Sequence, residues 1–501
     1  MSGPRLSRTT LRTLEARPGV RLPVVDPGAV TVGIVHLGLG AFHRAHQAVF
    51  TEDAAAATGE LGWGILGVTQ RSGRVVEQLA PQDGLYGVLT KGADETSLRL
   101  VGSLRDVAFP GTDTARVLDR IAAPTTHVVT LTVTEKGYRR AVGGGPDLAD
   151  PDLAADLEAL AGELRGAPQE VRPARSPLGL LLRGLALRHG RDAGPLTVVC
   201  CDNLAENGPV LAALVHATLD AVPGADALRA WIGASVRFPA TMVDRIVPAT
   251  TDAHRAQARA LLGHDDAGLV VGEPFSQWVV EDAFAGPRPA WERAGATLTA
   301  DVAPYERAKL RVLNASHSTL AYLGALRGHA TIAQAMADPD LAGAVRALVD
   351  EDVLPTLVAP DGVDLTRYRD DVLARFANPH TGHTTVQVAM DGSQKLPQRL
   401  LGTVRDRLAA GAVPTASATT VAAWIAYVRA TSRGELDVDG RPVALDDPLA
   451  STLAEAAAGP LDSLADRMLG VRAVFGDDLA GQDAFRLAVR SALAGLVADP
   501  V

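Results

Sequence analysis

The pattern of apolar and polar positions divides the chain into two parts. In the first part, short apolar runs typical of buried strands occur at VTVGIVHLGLG (30–40), WGILGVT (63–69), HVVTLTVT (127–134) and LTVVCCDN (196–203). Helix-like segments lie between them, such as RAHQAVFTEDAAAA (44–57) and PDLAADLEALAGELRG (151–166). Apolar strands that alternate with helices predict a parallel sheet covered on both faces.

After about residue 300 the pattern becomes mostly helical. The helix-like segments are ERAKLRVLNASHSTLAYLGALRG (306–328), DLAGAVRALVDEDVLPTLV (340–358), LPQRLLGTVRDRLAAG (396–411), TTVAAWIAYVRAT (419–431) and DAFRLAVRSALAGLVA (483–498). ELDVDGRPVALDDP (435–448) is typical of a surface connection. We therefore predict an α/β domain over 1–297 and a mostly α-helical domain over 298–501.

Composition limits the classes of function. The 501 residues are 47% hydrophobic but only 4% aromatic, so the core must consist mainly of Ala, Leu and Val. The formal net charge of −10 argues against a protein that binds nucleic acid or a membrane surface, since both need a positive field. An anionic substrate would require locally placed cations.

The two cysteines, Cys200 and Cys201, are adjacent and form no disulfide framework, so we expect a cytoplasmic protein and small buried side chains at a strand end. The arginine-rich residues 1–30 lack the apolar segment of a secretion signal, and we expect a mobile or surface-lying arm. No apolar run reaches the ~18 residues of a membrane-spanning helix.

The first strand ends in a glycine turn, HLGLGAFHRAH (36–46). Gly38 permits a tight turn, and Gly40 lets the backbone approach a pyrophosphate at a helix N-terminus. His43 stands where the usual fingerprint has its third glycine, and Arg44 lies where it could contact a phosphate. On its own this pattern fits a turn without a ligand about as well.

The second strand leaves the cofactor's phosphate preference open. A dinucleotide site usually has an acidic residue at the end of this strand to bind the adenosine ribose. Here the segment is GVTQRSGR (67–74), without a carboxylate. Arg71 and Arg74 could bind a 2′-phosphate or could simply be solvated, so NAD is expected and NADP is not excluded.

KLRVLNASHSTLAYLG (309–324) carries three polar groups in an otherwise apolar helix. On an α-helical wheel Lys309 and His317 are about 80° apart, and the set with Asn314 fits within ~140°. A lysine acts as an acid or base near neutral pH only when its pKa falls from ~10.4, and an amide suits an oxyanion. Each residue alone fits a structural role better; together they indicate a carbonyl-reducing site.

Five ordered motifs resemble the mannitol dehydrogenase family, the polyol-specific long-chain dehydrogenases/reductases. They are GLGAFHRAHQ (38–47), LTVTEKGY (131–138), CDNLAENG (201–208), FPATMVDRIVP (238–248) and KLRVLNASHSTLAYLG. The resemblance extends from about residue 30 to the C-terminus. It implies a Rossmann-type N-terminal domain, a mostly helical C-terminal domain, a monomer, and an active site without metal between the two domains.

The resemblance also implies roles for individual residues. Lys309 matches the catalytic acid/base, and Asn203 and Asn314 match paired oxyanion donors. His317 matches the residue that orients the substrate hydroxyl. Glu306 matches a carboxylate on the proton path, although a surface partner of Lys309 remains an alternative.

Further matches concern the cofactor. Asp244 matches a carboxylate near the nicotinamide and substrate. Glu135, with Lys136 beside it, is expected on the cofactor side. Phe42, in the glycine-turn motif, is also expected to contact the cofactor.

VQVAMDGSQKLPQR (386–399) and GEPFSQWVVEDAF (272–284) are more similar to the fructuronate reductases, or D-mannonate oxidoreductases, of this family. Gln387 stands where the polyol-oxidising members have an arginine, whereas Lys395 is retained. Lys395 and Arg399 could bind the carboxylate of a hexuronate. A Gly/Pro loop with solvated charges is the alternative for this segment.

We therefore expect nicotinamide-dependent reduction of D-fructuronate to D-mannonate, a reversible reaction on a small sugar acid or polyol. Mannitol or arabinitol 2-dehydrogenation is the nearest alternative. A cofactor-binding sensor without catalysis is an alternative of another class, but it would have no need to keep Lys309, Asn203, Asn314 and His317.

Overall fold

The computed structural model describes residues 3–14, 17–141, 143–166 and 170–498; for residues 497 and 498 it describes the backbone only. The chain divides into two compact units, Met1–Val302 and Ala303–Val501. The division lies at 302/303, where the sequence suggested 297/298. Each unit contains its own clusters of buried apolar residues.

The described part of the first unit contains three sheets built from short strands. The strands are β1 (Val20–Arg21), β2 (Val32–Leu37), β3 (Gly64–Val68), β4 (Tyr86–Lys91), β5 (Thr96–Val101), β6 (Leu104–Ala108), β7 (Val128–Leu131), β8 (Leu196–Cys200), β9 (Val236–Arg237), β10 (Thr241–Asp244), β11 (Val270–Gly272), β12 (Gln277–Glu281) and β13 (Thr297–Thr299).

The largest sheet is parallel throughout and has the order β6-β3-β2-β7-β8-β9. Counted along the chain, its strands therefore lie in the order 3-2-1-4-5-6, which is the doubly wound arrangement of a Rossmann domain. The predicted parallel sheet is confirmed. The order reverses between β2 and β7, and ligands of such sheets bind at the carboxyl ends of the strands at this point.

Alternate residues of each strand point to opposite faces of this sheet, and both faces pack against buried apolar clusters. Val35 and Leu66 belong to one apolar cluster, whereas Ile34 and Ile65 belong to another. This explains why the strands appear in the sequence as nearly continuous apolar runs. The smaller sheets have the orders β1-β5-β4-β11 and β10-β12-β13.

Helices connect the strands of the first unit. They are α1 (Arg8–Leu11), α2 (Ala41–Ala45), α3 (Gln47–Thr58), α4 (Arg74–Leu79), α5 (Pro110–Ile121), α6 (Pro151–Leu164), α7 (Pro177–Gly190), α8 (Asn207–Asp220), α9 (Asp226–Ser235) and α10 (Asp252–Leu262), with 3-10 turns at Leu61–Trp63, Ala80–Gln82, Glu135–Tyr138 and Trp291–Ala294. Their starts follow ordinary capping rules: the Asp150 side chain caps α6, and Pro151 occupies its first position.

The N-terminal arm packs onto this unit, which differs from the mobile arm expected as one possibility. Leu6 is fully buried in an apolar cluster with Leu85 and Leu262. The Leu6 N–H donates to the Asp265 carbonyl at 2.9 Å, and the Arg8 N–H donates to the Asp83 carboxylate at 3.0 Å. Burial of one leucine and these contacts anchor the segment despite its high arginine content.

The second unit is mostly helical, as predicted. Its helices are α11 (Ala303–Ala308), α12 (Ala315–Leu326), α13 (Ile332–Ala337), α14 (Pro339–Ala347), α15 (Leu365–Ala377), α16 (Thr385–Ala389), α17 (Gly392–Leu396), α18 (Gly402–Ala409), α19 (Thr415–Ser432), α20 (Ala450–Ala457), α21 (Leu464–Leu469), α22 (Arg472–Ala480) and α23 (Asp483–Ala498). Helix α19 packs against both α12 and α23 and forms the centre of this unit.

Within the described part of this unit, three π-helical segments interrupt these helices, at Lys309–Asn314, Leu348–Val353 and Pro397–Leu401. Short 3-10 turns lie at Leu354–Thr356, Pro379–Thr381 and Leu461–Ser463. The predicted surface connection at 435–448 contains a small hairpin of β14 (Asp437–Val438) and β15 (Arg441–Pro442). Across the residues that the structure describes, no helix combines the length and apolar character needed to span a bilayer.

Candidate active site

Gly38 makes a turn that no other residue could make at the end of β2. Its φ is +99°, and a Cβ atom would lie 2.1 Å from the carbonyl oxygen of Thr132. Gly40, the N-cap of α2, has space instead, because an added Cβ would meet only the Gly38 oxygen, at 3.6 Å. The turn lies at the switch point of the sheet, and the open backbone at Gly40 fits the close approach of a dinucleotide pyrophosphate.

His43 stands at the position of the third glycine, and its side chain packs beneath the turn. Its ring is buried and stacks on the ring of His36, with centroids 3.4 Å apart. His36 Nδ1 and Nε2 lie 2.8 and 3.0 Å from the hydroxyls of Thr130 and Thr132. Burial lowers the pKa of His36 to about 3 and that of His43 well below its usual value. Both rings are therefore uncharged, and they pack between strand β2 and helix α2. The Phe42 ring is half-buried and stacks on His46 at 4.9 Å.

The buried Arg44 side chain has partners within the first unit. Its Nε donates to the Gly40 carbonyl at 3.1 Å, and its Nη1 donates to the Gly268 carbonyl at 2.5 Å. The guanidinium lies over the ring of Tyr86, whose hydroxyl donates to the Arg44 carbonyl at 2.8 Å. Arg44 therefore links the glycine turn to the neighbouring sheet, and its contact with a phosphate stays a prediction.

The loops after β7 and β8 carry Glu135 and Asn203, both of which are exposed. The buried carboxylate of Asp202 connects these two loops. This residue was not among those predicted from the sequence. It accepts hydrogen bonds from the backbone of Val133 and Thr134 and from the hydroxyl of Tyr138. A carboxylate directly beside a candidate site residue at a strand end is the signal that could have identified it.

Cys200 and Cys201 are buried at the end of β8, as predicted. Burial raises the pKa of the Cys200 thiol to about 12, so this group is an inert thiol at neutral pH.

Asp244 is buried at the end of β10 and lies opposite Gln277 of β12. The start of β10 is joined to the end of β8 by Asn207, whose amide donates to the Thr241 and Asp202 carbonyls. The Thr241 hydroxyl in turn donates to the Cys200 carbonyl at 2.6 Å. These bonds place Asp244 at the end of a fixed strand.

In the second unit, a π-helical turn carries Lys309 and Asn314. Both are buried, with 8% and 6% of their surfaces exposed, and the Ala315 N–H donates to the Leu310 carbonyl, five residues back. A turn that closes at i+5 brings Lys309 and Asn314 closer to one side than the α-helical wheel predicted. Glu306 lies in the preceding α11 and is half-buried.

His317 lies one turn beyond Asn314, in α12, between two aromatic neighbours. Its ring stacks on Phe376 at 4.9 Å and on His383 at 5.2 Å between centroids. His317 Nε2 lies 3.4 Å from His383 Nδ1. Burial lowers the pKa of His317 well below its usual value, and the nearby charges of His383, Arg399, Lys395 and Arg375 lower it further. His317 is therefore a neutral imidazole.

Lys395 and Arg399 supply positive charge beside His317. Lys395 Nζ donates to the Val388 carbonyl at 3.3 Å, and Arg399 Nη1 donates to the Ser318 hydroxyl at 3.0 Å. Burial, followed by the charge of Arg399, lowers the pKa of Lys395 to about 8. Gln387 is exposed on α16, one residue before the carbonyl that Lys395 contacts.

The structure thus assembles the predicted residues in two groups. Gly38, Gly40, Phe42, Glu135, Asn203 and Asp244 belong to the first unit, at or after the ends of its strands. Glu306, Lys309, Asn314, His317, Gln387, Lys395 and Arg399 belong to the second unit. Among the described residues, no three His, Cys, Asp or Glu side chains are grouped so that they could hold a metal ion.

Comparison with known proteins places this geometry in a family. Residues 32–293 match the mannitol dehydrogenase Rossmann domain, and residues 301–497 match the mannitol dehydrogenase C-terminal domain. Among curated relatives, the D-mannonate oxidoreductase of Escherichia coli strain K12 is 40% identical over 94% of this chain and 95% of its own. The D-arabinitol 4-dehydrogenase of Ralstonia nicotianae is 39% identical over 91% and 95%.

A solved structure, that of Pseudomonas fluorescens mannitol 2-dehydrogenase with NAD and D-mannitol, superposes with a TM-score of 0.82. It is 34% identical, and the match covers 99% of this chain and 97% of that one. The chain therefore belongs to the mannitol dehydrogenase family, whose members are oxidoreductases that act on CH–OH groups.

Proposed function

We propose that this oxidoreductase catalyses the NAD-dependent reduction of D-fructuronate to D-mannonate, and the reverse oxidation. The observation that supports this substrate is the pair of cations, Lys395 and Arg399, whose charges act on His317. His317 is the group proposed to bind the substrate hydroxyl. If His317 binds a substrate hydroxyl, the substrate atoms next to that hydroxyl would lie near these two positive charges.

A carboxylate is the substrate group that such cations recognise. Arg399 presents a planar guanidinium that can bind a carboxylate with two hydrogen bonds, and Lys395 adds a point charge. Each hydrogen bond to a charged group contributes about 1.5–3 kcal/mol, or a factor of about 10 to 150 in affinity. A hexuronate carries this carboxylate, whereas mannitol and fructose do not.

Gln387 supports the same choice. It precedes Val388, whose carbonyl Lys395 contacts, and it places a neutral amide rather than a further cation at this position. The similarity to D-mannonate oxidoreductase over 94% of the chain is consistent with a sugar-acid substrate. The similarity to mannitol and arabinitol dehydrogenases makes polyol oxidation the second candidate.

The first unit would hold the cofactor. Gly38 and Gly40 would bring the backbone against the pyrophosphate, and Phe42, Glu135 and Asp244 would lie along the dinucleotide. When bound in its reduced form, the nicotinamide supplies the hydride that the ketone carbon accepts. Without a carboxylate after β3, and with Arg71 and Arg74 exposed there, NADPH should also be tested.

The chain's own residues would manage the proton and the negative charge. Lys309 would donate a proton to the ketone oxygen as hydride reaches the carbon, so one hydride and one proton convert the ketone to an alcohol. Asn203 and Asn314 would donate hydrogen bonds to the oxygen as its charge grows. His317 would fix the adjacent hydroxyl, and Glu306 would return a proton to Lys309.

A substrate panel tests the proposal. Consumption of NADH and NADPH should be followed by nicotinamide absorbance with D-fructuronate and D-fructose, and the reverse reaction with D-mannonate and D-mannitol. We expect kcat/KM for fructuronate to exceed that for fructose at least 100-fold. Arg399→Met should lower the fructuronate value about 10- to 150-fold and leave the fructose value within about threefold. Faster turnover of fructose or mannitol by the wild-type protein would establish the polyol alternative instead.

A further inference from the structure

Asp202 holds the loop after β7 through three hydrogen bonds. Its Oδ2 accepts from the Val133 N–H at 3.0 Å and from the Tyr138 hydroxyl at 2.6 Å, and its Oδ1 accepts from the Thr134 N–H at 2.8 Å. Asp202 itself follows β8, two positions after Cys200. A single carboxylate therefore binds the end of one strand to the loop that follows its neighbour.

The same residue also shapes the loop in which it lies. Its carbonyl accepts from the Leu204 N–H at 2.9 Å and from the Asn207 amide at 3.1 Å. Asn203, the proposed oxyanion donor, lies between Asp202 and Leu204. The position of the Asn203 backbone is thus fixed on both sides by contacts of Asp202.

These contacts hold the carboxylate in a buried place. Burial raises the pKa of Asp202, while the hydrogen bonds from Tyr138, Val133 and Thr134 favour its ionised form and oppose the shift. An ionised acceptor forms shorter and stronger bonds with N–H and O–H donors than a neutral one does. An asparagine would fit the same space but could not accept from both backbone amides and the hydroxyl with its two terminal atoms.

The loop that Asp202 holds is strained at Thr134. This residue has φ +68° and ψ 158°, a conformation that β-branched residues rarely adopt. Strain of this kind persists only where the surroundings impose it, and it is concentrated at functional sites. The Thr134 N–H bond to Asp202 is one such constraint, and the Gly137 N–H bond to the Thr134 carbonyl is another.

The strained loop adjoins the glycine turn. The Thr132 hydroxyl donates to the Gly38 carbonyl at 2.9 Å, and the Thr132 carbonyl occupies the space that a Cβ at Gly38 would need. The loop therefore lies beside the glycine turn at the switch point of the sheet, where a dinucleotide binds in sheets of this strand order.

From this geometry we infer that Asp202 is a positioning residue: it holds the loop from Val133 to Tyr138 against the dinucleotide and sets the backbone of Asn203. The inference rests on the proposed use of a nicotinamide cofactor but not on the identity of the sugar. Asp202 acts through Thr134 and Asn203 and does not itself contact the reacting atoms.

The test measures the Kd for NADH by nicotinamide fluorescence on the full chain, together with the thermal midpoint and kcat with fructuronate. Asp202→Asn should raise Kd at least tenfold and lower kcat at least tenfold. Glu52→Gln is the matched control. Glu52 is also a buried carboxylate that accepts from backbone amides, those of Val24, Gly102 and Ser103, and it has Arg99 as an ion-pair partner. Gly102 and Ser103 precede β6, at the amino end of that strand and away from the carboxyl ends of the six-stranded sheet. Glu52→Gln should lower the midpoint comparably and leave Kd within twofold.

A rescue variant distinguishes positioning from general stability. Thr134→Gly removes the backbone strain, because glycine adopts positive φ readily. In the Asp202→Asn background it should recover at least threefold of the lost NADH affinity. The absence of recovery would overturn the inference, as would an equal rise in Kd for Glu52→Gln. If Asp202→Asn does not fold, Tyr138→Phe decides the question: at least a threefold rise in Kd supports the inference, and an unchanged Kd overturns it.

The role of Asp202 and the proposed substrates can be refuted independently of each other. A wild-type protein that binds NADH but reduces neither fructuronate nor fructose would refute the proposed substrates, while the effect of Asp202 on Kd would still support the inference. A wild-type protein that binds neither NADH nor NADPH would refute both.

Discussion

His317 Nε2 and His383 Nδ1 lie 3.4 Å apart, in rings inclined by only 25°. Burial lowers the pKa of both imidazoles, and the guanidinium of Arg375 contributes to each shift. In a pair of neutral imidazoles, one nitrogen can donate and the other can accept. His383 therefore determines which nitrogen of His317 carries its proton, and with it the hydrogen bond that His317 would offer in its proposed role of binding a substrate hydroxyl.

We predict that His383→Phe lowers kcat/KM for the sugar substrate about 2- to 12-fold, the equivalent of one hydrogen bond. Phenylalanine keeps the ring that stacks on His317 but removes Nδ1. Steady-state kinetics measure the change, and His380→Phe is the control, because His380 is exposed on the 3-10 turn before His383. Equal losses in the two variants would contradict a role in positioning His317.

The neutral state of His317 also affects how kcat/KM should depend on pH. Because its folded pKa is lowered, the group stays uncharged through the range in which a free histidine titrates, near pH 6.5. The wild-type profile of kcat/KM should therefore show no imidazole limb between pH 6 and 7. A limb near pH 6.5 that disappears in His317→Asn would refute this.

Alanine at Gly38 should lower the stability of the fold, whereas alanine at Gly40 should weaken NADH binding. Gly38→Ala places a Cβ 2.1 Å from the Thr132 oxygen at φ +99°, so we expect it to lower the free energy of unfolding by at least about 3 kcal/mol. Gly40→Ala should cost less than about 1 kcal/mol, since its nearest neighbour would be 3.6 Å away. It should instead raise the Kd for NADH at least tenfold by preventing close approach.

Denaturant unfolding and NADH titration of both variants provide the measurement. A stable Gly38→Ala protein would mean that the turn is not formed as described. A Gly40→Ala protein that binds NADH as tightly as the wild type would mean that the pyrophosphate does not approach Gly40.

The lowered pKa of Lys395 predicts an alkaline loss of activity toward the sugar acid. Lys395 is protonated below about pH 8 and loses its charge above it, so its attraction for a carboxylate declines as pH rises through 8. The profile of kcat/KM for fructuronate should fall above that pH. In Lys395→Arg the guanidinium keeps its charge, and the contribution of this residue to the alkaline limb should disappear. Identical limbs in the two proteins would assign the titration to another group.

Several elements were predictable because their physical signal is local. Strands β2, β3, β7 and β8 are buried on both faces and appear as apolar runs four to six residues long. Strands β9 and β13 have two and three residues, too few to show a period, and the sequence did not reveal them. The central strands of the parallel sheet were therefore predictable, whereas its short edge strand β9, and β13 in a smaller sheet, were not.

The site shows the same limit. Lys309, Asn314 and His317 stand out as polar groups in an apolar helix, but the π-helical turn that carries Lys309 and Asn314 depends on a hydrogen-bond register that side-chain periodicity does not reveal. Arg44 has the right position for a phosphate ligand, yet its guanidinium reaches the Gly268 carbonyl, 224 positions along the chain. Partners so distant in sequence leave no local signature, and the same holds for the contact between His317 and His383.

Lys309 is the proposed acid that protonates the substrate oxygen. This role is best tested by the kcat of Lys309→Met with D-fructuronate and NADH, with Lys91→Met as the control lysine. A general acid contributes about 10²- to 10⁴-fold, so we predict a loss of that size with the Kd for NADH unchanged, while the control turns over normally. A Lys309→Met protein that retained near-normal turnover would contradict the mechanism.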